Sequence, residues 1–308
     1  MNGILNIYKE AGWTSHDVVA RLRKIAGQKK IGHTGTLDPD AVGVLPVCLG
    51  KATKVAELLM DETKTYEAVL LLGRTTDTQD AGGRTLGTGE VTCTEQELAD
   101  CLGGFLGEQL QVPPMYSALK QNGKKLYELA REGKTVERPP RKVHFYELSL
   151  LDTELPRARI RVTCSKGTYI RTLCHDIGER LGCGGCMEHL TRTRVGSFSL
   201  EEARTLGQVE EAAREGKLAQ LLVPIDGIFQ KYPAASVLPG ADKLAKNGNP
   251  LEERQIRAEE PETFRRAELL RLYDSRGEFL GLYRRKPGEP KIRLVKMFYD
   301  GLDRETKE

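Results

Sequence analysis

No stretch of this 308-residue chain approaches the run of about 18 apolar residues that a membrane-spanning helix needs. The start, Met1 to Trp13, also lacks a basic region followed by an apolar block. The expectation from both absences is a cytoplasmic protein with no membrane partner. A disulfide framework is not expected either. Seven cysteines, an odd number without an export signal, point to reduced thiols. Cys183 and Cys186 enclose two glycines, with Cys174, His175 and His189 nearby, but no second Cys-x-x-Cys follows at zinc-finger spacing, so no metal is expected. Internal repeats and low-complexity tracts are missing. The net charge of +3 is too small to announce a nucleic-acid binder by itself.

What is present is ordinary in bulk and uneven in detail. A composition 39% hydrophobic and 30% charged describes a globular protein, and the length exceeds that of a usual single domain, so two domains are expected. Arg21, Arg23, Lys24, Lys29 and Lys30 fall within ten residues that contain no acid. Between Lys120 and Lys142, eight cations face three glutamates. Such clusters suit phosphates, although each alone also reads as a solvated basic face.

The octet Gly32-His33-Thr34-Gly35-Thr36-Leu37-Asp38-Pro39 sets one carboxylate among hydrogen-bonding side chains. Its glycines can enter backbone regions closed to other residues, and Pro39 biases Asp38 toward an extended conformation. The apolar run Ala41 to Leu49 would anchor this loop in a core. Two readings stay open: a reactive carboxylate on a rigid mount, or a helix N-cap with proline in the first helical position.

Periodicity sketches the remaining elements. Thr14 to Asp17 and Thr94 to Glu97 are capping boxes, each followed by a helical apolar stripe. Thr65 to Leu72 reads as a strand that Tyr66 opens, running into a polar loop to Gly83. Met115 to Pro140 reads as a basic, mobile inserted arm closed by Pro139-Pro140. Val143 to Leu151 and Arg157 to Cys164 read as strands, the second with its arginines facing outward. Ser165 to Thr168 turns into a helix with Ile170, Leu173, Cys174, Ile177 and Leu181 on one stripe. Arg171 lies off that stripe and near the helix start, where a cation opposes the dipole; a surface salt bridge or a functional role would each account for it. Past Gln230 the texture changes to short strands, including Phe279 to Tyr283 and Ile292 to Tyr299, which suggest a small β-rich module. The expected domains are 1–230 and 231–308.

Seven ordered motifs carry a resemblance: Lys9 with Gly12-Trp13-Thr14-Ser15; the octet and its continuation Gly43 to Lys54; Lys64-Thr65-Tyr66; Gly73 to Thr78; Pro113 to Ala118; Cys164 to Arg171; and Leu190 to Arg194. In these the chain resembles the bacterial tRNA pseudouridine-55 synthases of the TruB family. The resemblance implies an α/β fold of the α+β type: a mixed, largely antiparallel sheet flanked by helices, followed by a C-terminal β-rich domain like the PUA domain. It implies isomerisation of uridine 55 in the T-loop of tRNA. The base is flipped out, detached at N1, rotated and rejoined to the ribose through C5, without cofactor or metal. The segment at about 113–140 corresponds to an insertion that stand-alone enzymes close over the T-arm and guide-dependent relatives lack, so no guide RNA is expected; a monomer is the default.

The same carry-over assigns residues. Asp38, Tyr66 and Arg171 would be catalytic, with Arg171 keeping the carboxylate ionised and Tyr66 stacking on the uracil. His33 would brace the space left by the flipped base, and Gly32, Thr34, Lys64, Tyr169 and Leu190 would line the uridine site. Lys9, Lys29, Lys30, Lys124, Lys125, Arg141, Lys166 and Arg192 would contact phosphates. Thr36 stands where the family often has alanine, and Gly185-Cys186-Met187 replaces a common Ala-His pair.

Overall fold

The computed structural model describes residues 1–286 and 288–299. Two compact units emerge: one of residues 6–47 and 56–218, the other of residues 1–5, 48–55 and 219 onward.

The first unit is organised by a nine-stranded sheet. In chain order its strands are β1 (Gly3–Lys9), β2 (Ile31–His33), β3 (Val42–Leu49), β4 (Lys64–Leu72), β5 (Gly107–Gln111), β6 (Arg141–Glu154), β7 (Arg157–Cys164), β8 (Gly185–Val195) and β9 (Phe198–Ser199). Their spatial order is β1-β3-β8-β4-β7-β6-β5, with β2 beside β3 and β9 beside β8. Pairing is antiparallel from β8 through β4, β7 and β6 to β5, and parallel between β3 and β8. In β4, Tyr66, Ala68, Leu70 and Leu72 alternate inward as the period of two requires. In β7, Arg157, Arg159 and Arg161 point out while Ala158, Ile160 and Val162 are buried.

Helices pack against strands of this sheet. Helix α1 (Ser15–Ala26) starts in a complete capping box of Thr14 and Asp17, and α2 (Glu95–Gly103) in one of Thr94 and Glu97. Each box satisfies backbone N–H groups that the first turn leaves without partners. Helix α3 (Ile170–Arg180) buries Ile170, Leu173, Cys174 and Ile177, which join Ala68, Leu70, Ile160 and Leu190 in one core. Gly178 lets α3 lie directly on the backbone: a Cβ there would stand 2.1 Å from the Gly185 nitrogen.

Three details differ from the sequence reading. No helix follows Pro39; the Ala41 N–H donates to the Asp38 carbonyl at 3.1 Å, and β3 starts at Val42. The proline thus opens a tight turn that the strand ends at once, and the helix-cap reading fails. The polar loop after β4 contains a short hairpin of Arg74–Thr76 with Thr85–Thr88. The basic insertion is also structured, as a Lys120–Gln121/Lys124–Lys125 hairpin turning through Asn122 and Gly123 at positive φ, then a helix over Leu126–Arg131.

The second unit carries a six-stranded sheet in the order Leu251–Glu252, Lys291–Met297, Phe279–Arg284, Leu269–Tyr273, Ala234–Val237, Ile256–Ala258. Its core gathers Val237, Leu251, Phe264, Leu270, Leu272, Leu280 and Tyr283. Ile4 exchanges backbone hydrogen bonds with Val223 at 2.8 Å in both directions. Residues well before Gln230 therefore belong to this unit.

Candidate active site

The loop that carries Asp38 is held by buried polar groups that spend themselves on backbone. Lys9 is completely buried, and its ammonium donates to the carbonyls of Trp13 at 2.7 Å, Pro39 at 2.8 Å and Glu10 at 3.1 Å. Ser15 Oγ accepts the Leu37 N–H at 3.0 Å. Thr34 is buried, its N–H and hydroxyl both directed to the Pro46 carbonyl at 3.1 and 3.2 Å. Arg192, 1% exposed, donates to the carbonyls of Val44 at 2.7 Å, Gly35 at 3.2 Å and Thr36 at 3.5 Å. Gly43 lets these layers meet, because a Cβ there would stand 2.2 Å from the Arg192 carbonyl oxygen and its φ is +106°.

On this mount Asp38 is half-exposed and meets Arg171, whose side chain is only 6% exposed, at 2.9 Å from Nε to Oδ2. A second approach joins Nη2 to Oδ1 at 3.4 Å. The guanidinium has further obligations that fix it in place. Nη2 donates to the Tyr116 carbonyl at 2.8 Å, and Nη1 donates to the Thr78 carbonyl at 3.0 Å and faces Asp80 at 3.6 Å. Asp80 is itself held by the Thr78 hydroxyl at 2.7 Å and the Gly82 N–H at 3.2 Å. A buried arginine with this many acceptors loses little on desolvation, and removing one partner would be costly. The pair is closed on its arginine side and open on its carboxylate side.

Apolar and aromatic groups complete the surroundings. Tyr66 is buried on β4, directly across from Arg192 of β8. Burial pushes its phenol up, and the Arg192 guanidinium opposes that shift. Leu190 is buried two residues before Arg192. Tyr169 precedes α3, its N–H and carbonyl clasped by the Gln111 side chain at 2.8 and 3.0 Å, and burial raises its phenol as well. His33 lies edge-on to His16 with ring centroids 5.3 Å apart. Burial, then the charges of His16 and Arg192, lower its imidazole to about 4. It is neutral at pH 7, and since Nδ1 accepts the Gly35 N–H at 3.3 Å, the proton sits on Nε2.

Four expected phosphate or substrate contacts change role. Lys9 and Arg192 are buried with their donors on carbonyls, so neither reaches an external phosphate. Lys64 is likewise buried, bonded to the carbonyls of Met60 at 2.8 Å and Glu62 at 2.6 Å. Burial lowers both lysines to about 8. Thr34 serves the loop, and Gly32 lies in the short strand β2 without positive φ. Lys29, Lys30 and Arg141 are exposed. Lys124 is exposed and paired with Glu132 at 3.3 Å, Lys166 with Asp61 at 2.7 Å, and Lys125 lies over the Tyr127 ring. Asp80 and Ser15 were missed by sequence reasoning. Asp80 follows the Gly73 to Thr78 motif, but only the fold brings it to Arg171.

The fold and this carboxylate–guanidinium site define a class, that of the RNA-modifying synthases. A solved H/ACA ribonucleoprotein bound to a substrate RNA containing 2′-deoxyuridine shares the fold at a TM-score of 0.71 and 26% identity, over 97% of this chain and 85% of that one. The chain belongs to the TruB family of pseudouridylate synthases: residues 23–170 match its N-terminal domain and residues 171–230 the tRNA pseudouridylate synthase B C-terminal domain. The tRNA pseudouridine synthase B of Lachnoclostridium phytofermentans is 48% identical, over 97% of this chain and all of that protein. The enzyme of the same name from Clostridium acetobutylicum is 44% identical, over 92% of this chain and 95% of its own.

Proposed function

We propose that this chain isomerises uridine 55 in the T-loop of tRNA to pseudouridine, and that it does so without a guide RNA. The observation that carries the reading is the Asp38–Arg171 pair, an anion fixed at 2.9 Å from a buried cation and open on its other side. The reaction breaks the bond from N1 to C1′, turns the uracil and joins C5 to C1′; a proton is lost at C5 and one gained at N1, with no net redox change. Such a path needs an anion at the ribose and base and a pocket that retains the detached uracil. Asp38 supplies the anion, and Arg171 keeps it charged and aimed.

Tyr66 and Leu190 form the wall against which the uracil turns, with Tyr66 stacking on the base. A uridine stacked in a folded loop reaches Asp38 only when flipped out, at a cost of a few kcal/mol. His33, neutral and held by Gly35, braces the vacated stack with its Nε2 proton available as a donor. Lys29, Lys30 and Arg141, exposed near the loop and at the end of the insertion, are the cations that meet phosphate. The relatives named tRNA pseudouridine synthase B span nearly the whole chain at 44–48% identity, against 26% for the ribonucleoprotein. That difference and the basic insertion favour tRNA as a direct substrate.

The test is to incubate purified protein with an unmodified tRNA transcript, with no other RNA present, and map pseudouridine along the product. Conversion at position 55 alone is expected. Binding without product would end the proposal, and conversion only when a guide RNA is added would refute its second half.

A further inference from the structure

We propose that Trp13, together with His16, forms a stacking platform for an unpaired base of the same RNA loop that carries the target uridine; the inference rests on the function proposed above. Trp13 is the only tryptophan in the chain and is 37% exposed. Its carbonyl has a partner, but among the described residues its indole has neither a hydrogen bond nor a ring or cation contact. The exposed part of the indole is an aromatic face on a turn bonded to the Asp38 loop, where a flat ligand can stack.

The backbone that carries this side chain is held to the Asp38 loop. The Lys9 ammonium that holds the Trp13 carbonyl at 2.7 Å also holds the Pro39 carbonyl at 2.8 Å. Gly12 donates its N–H to the same Pro39 carbonyl at 3.0 Å. Two residues on, Ser15 accepts the Leu37 N–H at 3.0 Å, and the exposed His16 ring meets His33 at 5.3 Å and 80°. The turn bearing Trp13 and the loop bearing Asp38 are thus one hydrogen-bonded body.

The chemistry of the neighbourhood selects the occupant. Asp17, the acid of α1, has its carboxylate engaged by the Thr14 N–H and hydroxyl at 3.0 and 2.5 Å. Beyond it α1 leads to Arg23 and Lys24, then Lys29 and Lys30, all exposed. Aromatic faces followed by a cationic track are what single-stranded nucleic acid binds, the rings taking bases and the cations the backbone. The cationic track and the bonding to the Asp38 loop favour RNA over a protein partner. Flipping one uridine leaves neighbouring bases with an open face, which an indole and an imidazole can cover.

Because Trp13 is unique, its emission reports on this place alone. Titration with unmodified tRNA is expected to quench it, saturating at the concentration where binding saturates. Trp13→Leu is expected to weaken tRNA binding roughly 5- to 100-fold, and Trp13→Phe to restore it to within about three-fold, since a π-face and not apolar bulk is needed. Both variants keep the backbone carbonyl that Lys9 holds, so unchanged thermal midpoints are expected. Emission that does not change at saturating tRNA, or wild-type binding by a folded Trp13→Leu, would overturn the platform. The wild-type emission and Trp13→Phe decide the matter if Trp13→Leu does not fold. The two proposals separate cleanly: product without quenching removes the platform and leaves the activity, whereas quenching without product does the reverse.

Discussion

At the residue scale, basic side chains proved the hardest to read. Lys9 and Arg192 were expected at phosphates and Lys64 at the uridine site, yet each is turned inward onto backbone carbonyls. Composition cannot tell an inward cation from an outward one. The Asp38–Arg171 pair was legible only through the family resemblance, because its members are 133 positions apart. Arg171→Lys is expected to lower the single-turnover rate on the order of 100-fold or more while tRNA affinity stays within a few-fold. A lysine cannot serve Asp38, Tyr116 and Thr78 with one planar fork. A near-normal rate would mean that the pair is not what aims the carboxylate. His33 yields a pH prediction. Its imidazole titrates at about 4 when folded against 6.5 ordinarily, so between those values the unfolded chain binds more protons. Its contribution to stability is full above 6.5 and is lost as pH falls toward 4. Urea unfolding at pH 7 and pH 4.5 should show a smaller drop for His33→Gln than for the wild type; an equal drop would contradict the assignment.

At the scale of elements, what was local was legible. The capping boxes at Thr14 and Thr94 formed as their spacing predicts, and the period of two placed Tyr66 on the buried face of β4. Asp38–Pro39 also read as a helix cap, because a cap and a tight turn share the same first residues; β3, starting at Val42, leaves no room for the helix. The parallel pairing of β3 with β8 left no local signal, and neither did the close approach of α3 to the β8 backbone. That approach matters for function. Gly178→Ala would place a methyl against Gly184 and Gly185, lifting the helix that holds Arg171. The expected loss is about 1–3 kcal/mol of stability, together with a fall in kcat larger than any rise in KM. A variant equally active and equally resistant to urea would show that the contact is slack.

At the scale of the whole molecule, a change of texture near Gln230 signals the β-rich C-terminal part, but the second unit also draws on residues 1–5, 48–55 and 219 onward. Segments so separated cannot be grouped by composition, because only pairing such as that of Ile4 with Val223 joins them. The central claim spans the chain in the same way, since it needs a loop from the first forty residues and a helix from beyond residue 170 to form one charged pair. Its most direct test is single-turnover conversion of pre-bound, unmodified tRNA by Asp38→Asn, with affinity measured on the same samples. The prediction is binding within a few-fold of the wild type and no detectable pseudouridine. Product formation at a rate near that of the wild type would remove Asp38 from the chemistry and contradict the account.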